Sequence, residues 1–567
     1  MYALTRVKKE ALTSLKKAIG KKYPVSIDML GEPPDAKMGD ISFPCFALAK
    51  GMARNPAEIA TEIAAKIGPS SLIARVVAVG PYVNFTVDGA AFVGAVLTDV
   101  VKDGKRYGKS TTGRGKKVLV EYANLNTHKE IHIGHVRNLA LGKSLVELLR
   151  RTGYGVTPVA YINDLGNNVA RALWGVMKLH PGEEPPEDAL NWLGSIYAEA
   201  TAALEADEER KAEVSQIQRD LENMEGEVVP LWKKSQKWSM DALKAAYAEL
   251  GLELDHIYEE HDLIDETHEI VKKLLTQGIA KMSQGAAIVD LESEGLGVNL
   301  LRKSDGTLLY NAKDLALAYR KEADYAADRS LIVVDTRQSL AFKQLAETLD
   351  RMGFPREVLH IPYDFVTLPE GAMSSRKGNI VRWTDVRDAM IEKLSQATRE
   401  RHADWSDRKV RDNARALAFA SVQFMMLRQD PEKTLVFDMD EAMSTDGFSA
   451  PYILYTLARI ESMKRKAEVI PEIVPEKLAH PVEIALAREM ARYPGVIQAA
   501  AAQYKPSIVA HYAFSLAQIF ARYYEEVRIL DANELQFASA RLALCDAVRQ
   551  TLENALLSLG IPLVKEM

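Results

Sequence analysis

Cysteine is nearly missing from this chain. Cys45 and Cys545 are its only two in 567 residues. Two thiols so far apart cannot build a cysteine-rich zinc site or a disulfide framework, and their scarcity points to a reducing compartment. No run of roughly 18 apolar residues occurs, so no transmembrane helix is expected. The opening stretch, MYALTRVKKEALTSLKKAIG, is amphipathic and lysine-rich but lacks the apolar core of a signal peptide. Internal repeats and low-complexity tracts are also missing. A cytoplasmic protein is the expectation. What is present is ordinary for a globular chain, 47% hydrophobic and 26% charged, and the length suggests about three or four domains.

The net charge of -6 argues weakly against a nucleic-acid partner, but it is unevenly spread. Residues 182–227 hold 14 acids and 3 bases, so the rest of the chain is net positive. A polyanion can bind that remainder while the acidic block faces water.

Residues 1–110 read as a small α+β domain. KKEALTSLKKAIG and PAEIATEIAAKIG have helical spacing, each ending at glycine, and ARVVAVGPYVNFTV alternates like a strand pair around a Gly-Pro turn. Residues 101–117 carry seven bases, one acid and four glycines without apolar periodicity, which reads as a linker, either a solvated tether or a phosphate contact. VLVEY, a helix over 136–149 and GYGVTPVAYI then form a parallel β-α-β unit. Residues 181–290 are charged and mostly helical. AAIVDL, LLYNAKDLALAYRK and SLIVVD resume a strand–helix pattern, so one doubly wound, Rossmann-like catalytic domain is expected in two halves, 111–180 and 291–385, split by a helical insertion at 181–290. A helical connector at 386–445 and a helical bundle at 446–567 complete the reading.

The strongest local signal is His132-Ile133-Gly134-His135 between a predicted strand and a predicted helix. A first β-α turn lies at the carboxyl edge of a parallel sheet, where ligands bind, and the helix N-terminus favours phosphate. Gly134 lets a nucleotide approach the backbone. The two imidazoles can donate hydrogen bonds to phosphate oxygens as charge builds on them. The plain alternative is two structural histidines capping a turn.

VEYANLNTHKEIHIGHVRN resembles the signature of class I aminoacyl-tRNA synthetases, and its flanks resemble the arginyl-tRNA synthetase family in particular. AVGPYVNF, YINDLGNNVA, LLRKSDGTLLYNAKDLA, AMSSRKGNIV and DGFSAPYILYTLARIESMKRKA match that family in order, and ARLALCDAVRQTLENALLSLGI resembles its carboxyl-terminal end. The resemblance implies ATP-dependent activation of L-arginine to arginyl-adenylate, transfer to the 3′ end of tRNA(Arg), and a need for tRNA in the activation step. It implies tRNA, arginine and ATP as partners, magnesium accompanying ATP, no zinc, no membrane and a monomer.

Carried residue by residue, the resemblance puts Glu121, Asn124, Asn126, Tyr310, Asp314 and Gln338 around arginine. Tyr310 and Asp314 are four apart on a predicted helix and share a face, and a carboxylate can take a guanidinium through two parallel bonds that lysine cannot reproduce. Alternatively, Glu121 pairs with a base such as Lys129, and Asp314 is a helix-surface acid. The resemblance puts His132, Gly134, His135, Met373, Ser374, Ser375 and Lys377 at ATP, with His132, His135, Lys129, Arg376 and Lys377 as the catalytic groups. Ala372 and Ser375 stand where the class usually has lysines in its second signature loop; the arginyl branch instead has Arg376, Lys377 and the upstream Lys129. Thr127 and Glu130 replace frequent prolines, which predicts a less rigid loop. In the last domain Tyr452, Tyr455 and Arg459 share a helix face, and with Tyr504 they are the expected tRNA contacts by stacking and charge, although helical tyrosines more often fill a core. No metal site built from protein ligands is expected. A cysteinyl-type synthetase would need a thiol-rich zinc site, and a catalytically dead tRNA-binding module would carry damaged signatures; neither matches these residues.

Overall fold

Ala3, Val7, Ala11 and Leu15 recur every four residues and form the buried face of α1 (Ala3–Ile19). This computed structural model describes every residue except 21, 187, 206, 370, 373–380, 532–533 and 565. After α1 come β1 (Ile41–Pro44), α2 (Phe46–Met52), α3 (Pro56–Ala65), β2 (Ile73–Val79), β3 (Tyr82–Val87) and α4 (Gly89–Asp103). The strands form an antiparallel sheet in the order β1-β3-β2, with the turn between β2 and β3 at Gly80, φ 55°.

The central unit runs through β4 (Lys117–Glu121), α5 (Ile133–Arg151), β5 (Gly155–Ile162) and α6 (Asn167–Lys178). Three helices follow: α7 (Ala189–Ala203), α8 (Glu208–Glu222) and α9 (Val228–Glu249). Then come β6 (His256–Glu259), α10 (Ile264–Thr276), β7 (Lys281–Ser283), β8 (Ala286–Leu291) and β9 (Gly297–Arg302). The second half holds α11 (Tyr310–Tyr325), β10 (Arg329–Asp335), α12 (Ser339–Arg351), β11 (Glu357–Tyr363), β12 (Val366–Leu368) and β13 (Gly371–Ala372). Five parallel strands make the main sheet, in the order β11-β10-β4-β5-β6. The order reverses between β4 and β10, which is the switch point where doubly wound sheets open a crevice. Alternation along the strands splits the core. Val118, Val120, Ala160 and Ile162 pack with α5, while Leu119, Val159 and Tyr161 pack with Leu317 of α11.

The carboxyl-terminal part comprises α13 (Trp383–Arg401), α14 (Asp407–Leu427), β14 (Leu435–Val436), α15 (Met439–Met443), α16 (Ala450–Lys466), α17 (Pro481–Gln503), α18 (Ser507–Glu526) and α19 (Leu535–Ser558). The amino-terminal domain rests on this bundle. Asp40 pairs with Arg488 at 2.5 Å, and α4 packs on α17 and α19. Among the described residues, no helix is long and apolar enough to cross a membrane.

Three sequence expectations change. The expected helical insertion at 181–290 also supplies β6, the edge strand of the main sheet. HIYE is too short and polar to read as a buried strand, because an edge strand needs little apolar patterning. AAIVDL is β8, in a separate antiparallel sheet β7-β8-β9, since an apolar run does not reveal its partners. The linker at 101–117 is docked rather than a tether: buried Tyr107 donates to the Met490 carbonyl at 2.9 Å, and a Cβ on Gly113 would stand 2.2 Å from the Tyr154 ring. One tyrosine and close-packed glycines carry no periodic signal.

Arg137 on α5 is 1% exposed. Its guanidinium donates to the carbonyls of Asp364 (2.7 Å), Phe365 (3.3 Å), Asp430 (3.4 Å), Pro431 (3.1 Å) and Lys433 (2.7 Å). Arg137→Leu leaves these carbonyls without their donor. It should destabilise the central unit by about 3 kcal/mol or more, read as a lower urea midpoint in circular dichroism.

Candidate active site

The carboxyl end of β4 leads through residues 122–132 into α5, with His132 at the N-cap position. The His132 backbone N–H donates to His135 Nδ1 at 3.2 Å, and the two rings stack with centroids 3.6 Å apart. Because His135 Nδ1 accepts, its proton sits on Nε2. Burial and the nearby Lys129 push the His132 imidazole down to about 4; burial, then His132 and Lys129, hold His135 well below its ordinary value. Both are therefore neutral N–H donors at physiological pH, beside a helix N-terminus suited to anions. His132 Nδ1 is buried without a partner among the described residues.

Lys129 is half-buried, its ammonium 4.9 Å from the centroid of the Tyr197 ring. Burial and Arg171 push its pKa down. Among the described residues it has no carboxylate partner: Glu130 pairs with Arg382 at 2.9 Å, and Glu121 pairs elsewhere. Met373, Ser374, Ser375, Arg376 and Lys377 lie outside the described residues. The flanks of that segment are placed. Ala372 pairs with Thr367, while Val381 accepts from Ile133 N–H at 3.1 Å and Trp383 N–H donates to Ile131 at 2.9 Å. The chain leaving the second loop is thus paired with the start of α5.

Around Asp314 the structure gathers more charge than the sequence reading named. Glu121 is buried, bonded by Lys321 and by Asn124 Nδ2 (2.8 Å). Asn124 Oδ1 accepts from Tyr161 N–H at 2.9 Å, so this amide holds Glu121 and strand β5 together. Buried Glu260 is bonded by Lys313 and by Asn163 Nδ2 (3.1 Å). Asn126 bridges to Asn163. Asp314 has no hydrogen-bond or ion-pair partner among the described residues. Burial and the Glu121 carboxylate push it up to about 7, against the pull of Lys321. Tyr310 opens α11, and burial with Glu260 and Asp314 pushes its phenol up to about 12. The buried Tyr161 hydroxyl has no partner among the described residues. Glu121, Glu260 and Asp314 against Lys313 and Lys321 leave this pocket one positive charge short. Gln338 is exposed just past the carboxyl end of β10. Lys321 could have been found from sequence, seven residues after Asp314 and so on its helix face. Glu260 and Asn163 gave no signal, because only the sheet brings β5 and β6 beside β4.

One cluster among the described residues has metal-ligating types: Asp164, Glu259 and His261. It is closed on itself. His261 Nδ1 meets Asp164 at 2.6 Å and Gln236 donates to Glu259, so these groups already partner one another; against the downward pull of burial, the Asp164 hydrogen bond and the flanking acids push His261 up.

In the bundle, a cavity of about 840 Å³ is lined by Trp405, Lys409, Tyr455, Arg459, Lys466 and Tyr524, among others. The Arg459 guanidinium lies 4.7 Å from the Tyr455 centroid and 4.3 Å from that of Tyr524. The other two expected contacts sit elsewhere. Tyr452 packs on Phe514 with centroids 5.1 Å apart, and the Tyr504 hydroxyl accepts from Arg329 on β10 at 2.6 Å. Their helix spacing was legible; which neighbour covers each ring was not.

Comparison with known proteins matches three families along the chain. They are the arginyl tRNA synthetase N-terminal domain over residues 6–87, the class I (R) tRNA synthetase catalytic domain over 96–439, and the DALR anticodon-binding domain over 453–567. An arginine–tRNA ligase of Bdellovibrio bacteriovorus is 37% identical across 98% of both chains. One from Clostridium acetobutylicum is 31% identical, covering 94% of this chain and 95% of its own. The Thermus thermophilus arginyl-tRNA synthetase structure superposes with a TM-score of 0.81 at 25% identity, over 99% of this chain and all of its own.

A raised carboxyl pKa sets a sign. Asp314 must lose its proton before it can pair with a cation. Affinity for a guanidinium ligand should be flat above about pH 7 and fall below it, by up to about tenfold per unit. Asp314→Asn should bind weakly at every pH and lose this slope. Calorimetric titration with arginine from roughly pH 5.5 to 8.5 measures both.

Proposed function

The chain belongs to the arginyl-tRNA synthetase family and is an arginine–tRNA ligase, and from that premise we propose which of its residues do the work. One observation carries the assignment: past the carboxyl ends of β4 and β6, three carboxylates gather with two ammonium groups, and the connection that leaves β4 ends at two stacked neutral histidines. Arginine brings one net positive charge on a planar fork. Asp314 and Tyr310 receive that fork, since Glu121 and Glu260 are already paired with Lys321 and Lys313. Asn126 and Gln338 face the rest of the amino acid, while Asn124 orients Glu121.

The arginine carboxylate attacks the α-phosphate of ATP in line and pyrophosphate leaves; a hydroxyl of the terminal adenosine of tRNA then attacks the adenylate carbonyl, the ester forms as the mixed-anhydride bond breaks, and AMP leaves with the hydroxyl proton passing to its phosphate or to solvent. His132 and His135 donate N–H groups to oxygens on which charge grows, and Lys129 adds a full positive charge. No general base is needed, since the carboxylate is already ionised. Gly134, Met373, Ser374, Ser375, Arg376 and Lys377 complete the ATP site in this reading. Magnesium would come with ATP and screen its phosphates, needing no protein cage. Tyr455 and Arg459, with Tyr524, suit an unpaired anticodon base and its phosphate. The scarce, buried cysteines and the role in translation support a cytoplasmic setting.

Charging of tRNA tested with each of the twenty amino acids tests the activity; arginine alone should be accepted. Activation is proposed to need tRNA, a population shift by a partner that favours the closed arrangement of the two signature loops. Pyrophosphate exchange should be near background with arginine and ATP alone and appear when tRNA is added. Strong exchange without tRNA removes this part of the mechanism.

Lys129→Ala separates catalysis from packing. Loss of one transition-state donor should lower the single-turnover rate of adenylate formation by about a hundredfold, with arginine affinity little changed. A rate within about fivefold of the parent strikes Lys129 from the catalytic groups.

A further inference from the structure

The loop of residues 122–131 has the sequence YANLNTHKEI, without a single glycine or proline. Two of its residues nevertheless lie in the left-handed region, Ala123 at φ 60° and His128 at φ 59°. A Cβ disfavours that conformation, so tertiary contacts must hold it. Both contacts come from α9. Tyr247 donates its hydroxyl to the Ala123 carbonyl at 2.9 Å. Ser235 Oγ meets His128 Nε2 at 2.8 Å, and Ser239 Oγ accepts from the His128 backbone N–H at 3.2 Å. Trp232, one turn earlier, donates to the Asp164 carbonyl at 2.8 Å in the loop after β5.

Ser235, Ser239, Leu243 and Tyr247 are spaced by four and form one buried stripe. A helix serving only as core would present apolar residues here, because buried hydroxyls are costly unless bonded. These are bonded. Ser235 Oγ lies 2.9 Å from the Leu231 carbonyl of its own helix as well as against His128 Nε2. Thr127 Oγ1 lies 2.9 Å from His128 Nδ1, so a hydroxyl engages each ring nitrogen, one as donor and one as acceptor. The His128 ring is fully buried and neutral, pushed down to about 3 by burial. Besides the grip of Tyr247, Ala123 has a second hold from α5: its N–H donates to Asn138 Oδ1 at 2.8 Å, and Asn138 donates to the Val333 carbonyl at 2.7 Å. Thr127 and Glu130, expected to loosen the loop, are thus part of a pinned segment.

We propose that α9 is the positioning helix of this loop and that its two grips serve different substrates. Tyr247 fixes the Ala123 end, next to Glu121 and Asn124 on the arginine side. Ser235 and Ser239 fix the His128 end, next to Lys129 and His132 on the phosphate side. Neither group touches substrate; each acts through the backbone it holds. The inference rests on the arginine and phosphate roles given above for those neighbours.

Steady-state arginylation and single-turnover adenylate formation by the full-length enzyme with its tRNA test it. Tyr247→Phe removes only an oxygen and should raise the arginine KM about fivefold or more, with kcat within about twofold. Ser235→Ala should lower the adenylate rate about tenfold, with arginine KM little changed. If Ser235→Ala does not fold, His128→Asn keeps a residue tolerant of the left-handed region and breaks the same contact, giving the same readout. Ala123→Gly in the Tyr247→Phe background should bring the arginine KM back toward the parent, because glycine adopts the backbone conformation without the grip. The inference is overturned if the variants lower the melting temperature with both kinetic parameters unchanged, if both variants move the same parameter alike, or if glycine gives no recovery. Asp314→Asn run alongside distinguishes the two readings. If its arginine KM is also unchanged, the pocket assignment has failed; if it rises while that of Tyr247→Phe does not, only the role of α9 has.

Discussion

The guanidinium of Arg137 ties the signature helix to the rest of the crevice. It lies two residues beyond His135, and its donors reach five carbonyls from residues 364–365 and 430–433. Buried carbonyls at turns need a donor, and one planar, permanently charged fork serves several at once. This contact sets where α5 begins relative to β12 and to the connector beyond it. The paired backbone of Ile131–Ile133 with Val381–Trp383 then brings the exit of the second loop beside the histidines. A shift of α5 would move the histidine motif and the exit of the second loop together.

The pocket shows the opposite kind of design. Its lysines satisfy Glu121 and Glu260, but among the described residues Asp314 has no cation partner. Its carboxyl holds a proton up to about pH 7 in the folded chain, whereas the unfolded chain releases it near 4. Between those values the folded state binds more protons, so this group's contribution to stability declines as pH rises through the window. A ligand cation removes the deficit. The fold thus gives up some stability at neutral pH by keeping this carboxyl buried beside other acids.

Holding such a site demands rigidity from a loop that has none of its own. Left-handed alanine and histidine in the absence of glycine mean that the loop's shape is imposed from outside. The region first read as an inserted block of charged helices supplies that hold through α9. It also contributes β6, whose adjacent Glu260 completes the charge pattern.

The histidine motif, the doubly wound halves, the helical carboxyl end and the four-residue spacing of Tyr310 and Asp314 were legible in the sequence, because each depends on local periodicity or on a short run of residue types. The resemblance to one synthetase family rested on the same local strings. Tertiary structure alone decided the rest. It placed Glu121 and Glu260 beside Asp314, docked residues 101–117, moved AAIVDL out of the main sheet, and sent Tyr504 to the amino end of β10 rather than the bundle cavity. Partners two hundred residues apart, such as Glu121 and Lys321, meet only once the strand order is set, and a side chain's charge state or exposure follows from the neighbours that this order brings.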